Sequence, residues 1–489
     1  MIRSLLLTVS LSASFTAAAL AESPWTVETV PIQKSADQQV GGIDVAPDGR
    51  VFVCFHQGEV RVFDPATEQW SIFAKGLHEP LGIYVESDTS IVVVQRPELT
   101  RISDTDGDGV ADRYRKISDD FGMSGNYHEF AFGPIKDAQG NWIVALNVAS
   151  NGAGIRPEIR GNFLEVGLPR ADFYADDWKT VKNKAGRMYA RVDWRGCIVK
   201  IDDKTGAITP LAYGFRSPNG IGFDAEGRLY ASDNQGDWRG TSPLYHVEEG
   251  NFYGHPASIP YMPDYAGPAP LDLSLEELER LRTPAAIWFP HGTMANSPTE
   301  PILIPEGFGP FAGQMLIGEM NRPRIVRLML EEVNGVTQGA CAPFIDDSGL
   351  ASGVNRLAFG PDTTLWTGHS HLSWAGGEGM RKITYDPEGT TQDVFSLKIQ
   401  PDGFEVEFLE PLEKIAKVKL DSFTYLYHKD YGSPKVDERS EDFEIEKTSA
   451  TTFRITLKEQ IRKDFCYEFH FSDAANPMIA YTVREVPTR

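Results

Sequence analysis

The sequence predicts an all-β chain, a six-bladed β-propeller followed by a small β-sandwich. Three observations predict it. Apolar and polar residues alternate in short runs closed by Gly, Pro and Asp, the mark of strands and hairpins. One unit returns about every 40–50 residues, the period expected of propeller blades. Near Glu388 that repeat ends, and alternating strands continue without it.

The recurring unit has a glycine or histidine near its start, a strand, a Pro-Asp-Gly-like turn and a second strand. In order the openings are GGIDVAPDGRVFVCF from Gly41, LGIYVESDTSIVVV from Leu81, HEFAFGPIKDAQGNWIVAL from His128 and NGIGFDAEGRLYASD from Asn219. FAGQMLIGEMNRPRIVRL from Phe311 lacks the turn signal, and GVNRLAFGPDTTLWTG begins at Gly353. Third strands follow several of them, as in EVRVFDPATEQW and CIVKIDDKTGAI. The propeller is therefore expected over residues 24–390. Two polar, Gly/Pro-rich stretches break the period, at 150–195 and 250–305, the second with a helix-like LDLSLEELERLR. They read as long face loops, where function concentrates. From Val394 the strands FSLKIQPDGFEVEFLEPLE, FTYLYHKDYGSP, TTFRITL and CYEFHFSD predict the sandwich over 394–489.

The first residues read as a secretory signal peptide over 1–21. Arg3 precedes an apolar run at 4–18, and Ala19-Leu20-Ala21 has the form of a cleavage site. The run is shorter than the ~20 residues that span a bilayer. A periplasmic or extracellular protein with no transmembrane segment after cleavage is the expectation. The net charge of −22 argues against nucleic acid or an anionic membrane as partner. Cys54, Cys197, Cys341 and Cys466 are widely spaced and form no CxxC pair, which excludes zinc-ribbon and covalent-haem patterns. Free buried thiols and disulfides both stay open.

The stretch DTDGDGVAD at 104–112 packs four carboxylates into nine residues. Asp104, Asp106 and Asp108 take positions 1, 3 and 5 of a calcium loop, Gly109 allows its sharp turn, and Asp112 falls at position 9. A hard cation with oxygen ligands removes the mutual repulsion. Arg115 stands where a full helix–loop–helix hand has its bidentate glutamate. The expectation is thus a stand-alone structural calcium loop between two strands.

Two further segments carry candidate chemistry, GNYHEFAFGP around His128 and GFRSPNGIGFDAEGRLYASDNQGDW over Gly214–Trp238. Here the chain resembles the soluble quinoprotein glucose/sorbosone dehydrogenases, six-bladed propellers that bind pyrroloquinoline quinone (PQQ) and calcium. The resemblance implies His128 as general base and Arg216 as a contact to quinone and substrate. It extends to Ser217 and Asn219 in the Arg216–Gly220 turn, with Ser217 where the family has asparagine. Asn234-Gln235-Gly236-Asp237 matches a turn whose glutamine reaches the quinone and whose following residues, here Gly236 and Asp237, hold calcium. Asn321 stands where the family has a lysine, and Arg322 or Arg356 (Arg324 also lies nearby) then take over the quinone's carboxylates. The nearer resemblance is to an exported subgroup common in planctomycete-like bacteria, called membrane-bound dehydrogenases. It shares the DTDGDGVAD loop, the DNQGDW and GNFYGHP blocks, Pro290-His291-Gly292 and the DGFEVEF and YGSP segments.

The implied activity is oxidation of a sugar or polyol, with hydride passing to the quinone and electrons to a separate soluble carrier. Two alternatives stay open: a non-redox carbohydrate-binding or scaffold propeller, and a metal-assisted lyase or hydrolase. His291 and the His369/His371 pair fall on expected face loops, and HxH spacing on a strand puts both rings on one face. His56 and His78 fall at strand ends near the channel.

Overall fold

A computed structural model describes residues 23–33, 37–124, 126–150, 160–162, 188–189, 192–267, 270–372 and 376–488. The proposed signal peptide and most of the first long loop lie outside these residues. The architecture is all-β. Among the described residues, six sets of four antiparallel strands follow one another in chain order.

Sheet 1 comprises Val40–Val45, Val51–Phe55, Val60–Asp64 and Gln69–Ala74; sheet 2 comprises Gly82–Ser87, Ser90–Val94, Leu99–Ser103 and Arg113–Ser118. Sheet 3 takes Ala131–Lys136, Trp142–Leu146, Cys197–Ile201 and Ile208–Tyr213, and sheet 4 takes Gly220–Phe223, Leu229–Ser232, Ser242–Val247 and Ile287–Phe289. Sheet 5 begins with Pro298–Leu303, Met315–Glu319, Arg324–Val333 and Val336–Asp346. Sheet 6 takes Val354–Phe359, Leu365–His369 and Gly379–Tyr385, and its outer strand is the N-terminal Trp25–Val30. Trp25 pairs with Tyr385 and Val30 with Met380. The first and last strands of the ring are thus held in one sheet, which limits opening between its ends.

The first strand of each sheet contacts that of the next, and Val354–Phe359 returns to Val40–Val45. Apolar side chains fill the junctions. Phe52, Cys54 and Val60 pack on Ile83, Ile91 and Val93 between sheets 1 and 2. Tyr230, Leu244 and Phe289 pack on Met315, Ile317 and Val326 between sheets 4 and 5. Second strands such as Val51–Phe55 and Trp142–Leu146 are buried along their whole length, because both faces meet a neighbouring sheet. Close approach at the axis requires glycine. A Cβ on Gly82 would lie 1.3 Å from the Gly133 carbonyl oxygen, a clash no side-chain movement relieves.

Two placements differ from the sequence reading. The fifth unit starts at Pro298, before the expected Phe311. Two prolines hide the strand Pro298–Leu303, and they are tolerated because the register shifts between Pro298 and Pro301. The C-terminal strands also extend sheet 5 instead of forming only a separate pair of layers. Gly339–Cys341 pair with Ala480–Thr482, and the order continues through Phe465–Phe471, Val418–Thr424 and Val436–Ser440. A further sheet of Val394–Gln400, Gly403–Phe408, Thr452–Leu457 and Phe443–Lys447 covers this extension. Phe404, Phe469 and Tyr481 share its core with Met329 and Ala342 of sheet 5. The expected helix is present as α1, Leu275–Leu281, started by a Ser274–Glu277 capping box. All four cysteines are free and buried. No helix among the described residues is long and apolar enough to cross a membrane.

Candidate functional site

Loops at one end of the ring enclose a cavity of about 330 Å³. Its wall holds His128 from the turn before sheet 3, Arg216 and Ser217 from the turn before sheet 4, and Asn234 and Gln235 from the turn after Leu229–Ser232. His291, Asn296, Ser297 and Asn321 complete the far side, and Tyr127 and Tyr431 flank it. That volume lies in the range of small-molecule clefts.

His128 is buried, and its Nδ1 lies 2.9 Å from the Val148 carbonyl oxygen. A carbonyl only accepts, so Nδ1 carries the proton and Nε2 is the basic nitrogen. Burial, then the charge of Arg216, pulls the imidazole down to about 4. It is therefore neutral near pH 7. The turn that carries it is braced from below by Arg195, fully buried, whose Nη1 donates to the Glu129 and Phe130 carbonyls at 2.9 and 2.8 Å.

Arg216 is set by two carboxylates. Its Nε donates to Asp237 Oδ1 at 2.8 Å. His255 Nε2 donates to the other Asp237 oxygen at 3.3 Å, since His255 Nδ1 accepts from Ala257 N–H. Burial alone would raise the Asp237 carboxyl; the His255 hydrogen bond and the Arg216 charge hold it well below the usual range instead. Asp233, fully buried, accepts from the backbone N–H groups of Arg216, Ser217 and Asn234 at 2.7–2.9 Å, and from Arg239 Nε at 3.1 Å. Gly236 lets the guanidinium lie against the backbone: a Cβ there would meet Arg216 Nε at 2.0 Å. On the opposite wall Glu319 plays the part of Asp233. It accepts from the N–H groups of Asn296 and Ser297 at 2.9 Å.

The structure thus brings together His128, Arg216, Ser217, Asn234 and Gln235. It places the other expected residues elsewhere. Arg356 is buried on the ring axis, where it donates to the carbonyls of Leu81, Asn219 and Asn355 and sits 3.3 Å from Glu300. Both Arg356 and Asn219 therefore join sheets at the channel and do not line the cavity. Arg322 is outside the cavity wall too and donates to the Gly292 carbonyl. Arg324 is paired with Asp346 at 2.9 Å. Gly236 and Asp237 were expected to hold calcium, but the Gly236 carbonyl accepts from Gly432 N–H at 2.9 Å and Asp237 is taken by Arg216 and His255. His369 is a core residue, with its two nitrogens at Ser352 O and Thr367 Oγ1.

Sequence reading missed Asp233 and Glu319 as the groups that shape the cavity. A usable signal existed: both acids fall where a buried second strand ends. It also missed Tyr431 and Tyr127, whose positions depend on how distant loops meet.

In the acidic loop, Asp104, Asp106 and Asp108 each present an oxygen within 4.8 Å of the others. Asp104 accepts from Gly109 N–H at 2.9 Å and Gly107 N–H at 2.7 Å, and these bonds hold its carboxyl low. Asp112 is not part of the group, because both of its oxygens bond Thr105, at 3.0 and 2.6 Å.

Two family models match the chain. One is a domain of unknown function, DUF7133, over residues 25–263; the other is the glucose/sorbosone dehydrogenase family over residues 185–372. The second segment, which contains Arg216, Asp233 and Arg356, thus carries the pattern of an oxidoreductase family. No curated protein sequence matches. Among solved structures, the chain is similar to an oxidoreductase of glucose dehydrogenase type from Thermus thermophilus, at 14% identity, 74% coverage of this chain and 99% of that one, with a TM-score of 0.48. It is similar to the PQQ-bound aldose sugar dehydrogenase of Streptomyces coelicolor, at 12% identity, 74% and 98% coverage and a TM-score of 0.44. For the PQQ domain of pyranose dehydrogenase from Coprinopsis cinerea the values are 13%, 74%, 96% and 0.48.

Proposed function

We propose that the protein is an exported oxidoreductase acting on a sugar or polyol in this cavity, at the mouth of a six-bladed propeller with a C-terminal sandwich. One observation carries the reading: a neutral, anchored imidazole and a guanidinium line the same cavity, the guanidinium from within the segment matched to the dehydrogenase family. His128 Nε2 takes the proton of a bound hydroxyl, a step its neutral state permits, and the hydride on the same carbon would have to leave to a two-electron acceptor such as a redox cofactor. Arg216 faces negative charge that develops on the reacting oxygen. Ser217, Asn234 and Asn296 offer the mixed donors and acceptors that a polyhydroxylated ligand requires.

The cofactor implied by the resemblance is a different matter. PQQ is a two-electron acceptor and a tricarboxylate. Among the described residues, the lysine or arginine lining the cavity is Arg216 alone, and Asp237 already pairs with it. Arg322 and Arg356 are committed elsewhere. Among the described residues, one guanidinium that is already paired therefore faces a group with three carboxylates. The same observation favours the second reading, a carbohydrate-binding propeller without redox turnover. The test adds PQQ and calcium to the purified protein and follows dye reduction across aldoses and polyols, together with bound-quinone absorbance. Turnover with saturable quinone uptake supports the first reading, and sugar binding without turnover supports the second. Absence of any sugar binding or turnover overturns both.

The Asp104–Asp108 loop is proposed as a structural calcium site that braces the hairpin from Leu99–Ser103 to Arg113–Ser118. Its Ala111 N–H also bonds Phe73 O of sheet 1 at 2.7 Å, so the loop ties two sheets. Calcium a hundredfold above its Kd is expected to add about 3 kcal/mol of stability, seen as a higher Tm that a chelator reverses. Asp104→Asn is expected to abolish this response. An unchanged Tm on chelation contradicts the site.

A further inference from the structure

We infer that the cleft where the C-terminal segment meets the propeller binds a small monovalent anion of chloride size. This cleft is separate from the cavity around His128 and has a volume of about 40 Å³. That is room for such an ion with a few waters. Its walls come from three parts of the chain. Trp238 and Arg239 stand on the turn after Leu229–Ser232, Arg282 follows α1, and Tyr425 and Tyr427 belong to the C-terminal segment. Trp288 of sheet 4 lines it as well. Among the described residues, two guanidinium side chains line the cleft and no carboxylate does.

These walls hold more donors than the protein uses. Arg239 spends three of its five N–H groups, on Asp233 and on the Trp238 and Gly214 carbonyls. Arg282 spends two, both on Glu279. Tyr425 is 8% exposed, and its Oη has no hydrogen-bond partner; Thr241, beside it, donates its own hydroxyl to the Phe289 carbonyl. A third guanidinium, that of Arg484, lies 4.1 Å from the Trp288 ring centroid, and its buried Nη2 also lacks a partner. The acids matched to Arg282 and Arg484 stand in water: the side chains of Glu279 and Asp464 are 49% and 68% exposed. Solvent and salt therefore screen the counter-charges more than the buried cations. Burial pushes the Tyr245 hydroxyl up, and Arg239, Arg282 and Arg484 each oppose that. Buried positive charge without a close acceptor is costly, and a small anion supplies both the charge and the acceptor. Aromatic faces hold the guanidiniums ready for it. Arg282 lies 4.5 Å from the Tyr427 ring centroid and Arg239 lies 5.4 Å from that of Tyr245. An ion bonded to Arg282 and Tyr425 would tie the propeller to the C-terminal segment.

The experiment measures the Tm of the full chain in sodium chloride and in the sodium salt of the bulky morpholinoethanesulfonate, at equal ionic strength and with EDTA present to remove calcium. Equal ionic strength cancels the general screening that a net charge of −22 invites. The expected result is a saturable rise of about 2–3 °C with chloride a hundredfold above its Kd. Bromide gives the same rise, and crystals grown in bromide show an anomalous peak between Arg282 and Tyr425. The rise disappears in Arg282→Gln and shrinks in Tyr425→Phe, which keeps the packed ring and decides the test where Arg282→Gln fails to fold. Equal Tm values in the two salts, a full rise in Tyr425→Phe, or a bromide peak elsewhere and none in the cleft overturns the inference.

Discussion

Asp233→Ala is expected to destabilise the protein by roughly 3–5 kcal/mol and to abolish ligand binding in the fraction that folds. The carboxylate is fully buried and serves four donors at once. Its removal leaves three backbone N–H groups and the Arg239 guanidinium without that acceptor. Each stranded amide costs about 1–3 kcal/mol, and a stranded buried charge costs more. Against a total stability of about 5–15 kcal/mol this is a large share. Asp233→Asn keeps the shape but loses acceptor capacity and charge, so an intermediate cost is expected. Urea unfolding followed by sugar titration checks both variants. Near wild-type stability in Asp233→Ala would show that the turn does not depend on this hub.

His128→Gln is expected to lower kcat/KM by about 10²–10⁴-fold, the usual contribution of a positioned base. Its pH profile is equally diagnostic. An ordinary histidine would give an acid limb near 6.5, whereas this one, pulled down by burial and Arg216, gives a limb near 4. The stability consequence has a definite sign. The folded-state value lies below the unfolded 6.5, so the contribution is fully present above 6.5 and is lost as pH falls toward 4. In that window the unfolded chain takes up a proton that the folded chain refuses. His369, also pulled down to about 4 by burial, adds a second proton of the same sense. Each is worth on the order of 3 kcal/mol across the window. Removing His128 should flatten the pH dependence of stability between 6.5 and 4, and an unchanged slope would contradict the buried neutral state.

The all-β class and the succession of units were legible because short apolar runs recur at a near-constant spacing between Gly-, Pro- and Asp-marked turns. His128 and Arg216 were picked out by their match to the motifs of the dehydrogenases the chain resembles, and both line the cavity. Other parts left no local trace. The strand Pro298–Leu303 is masked by its prolines, and Trp25–Val30 shows a mostly exposed pattern that reveals nothing of its partner Gly379–Tyr385. Arg356 and Arg322 have the right charge for an anionic ligand, but charge does not say which end of the ring a residue faces. Tyr431 lies about two hundred residues from Arg216 in sequence, and backbone bonds such as those of Gly432 to Gly236 and Trp238 to His428 bring them together. Asp237 was a metal ligand by the resemblance alone, and the two groups that occupy it, Arg216 and His255, lie on separate turns.

The most direct measurement is histidine-selective ¹⁵N NMR of the full chain during titration with a ring sugar, with His128→Gln used for assignment. The His128 Nε2 resonance, at the position of an unprotonated imidazole nitrogen, is expected to shift saturably while the His369 signals stay fixed. A sugar that binds with the His128 signal unmoved would contradict it.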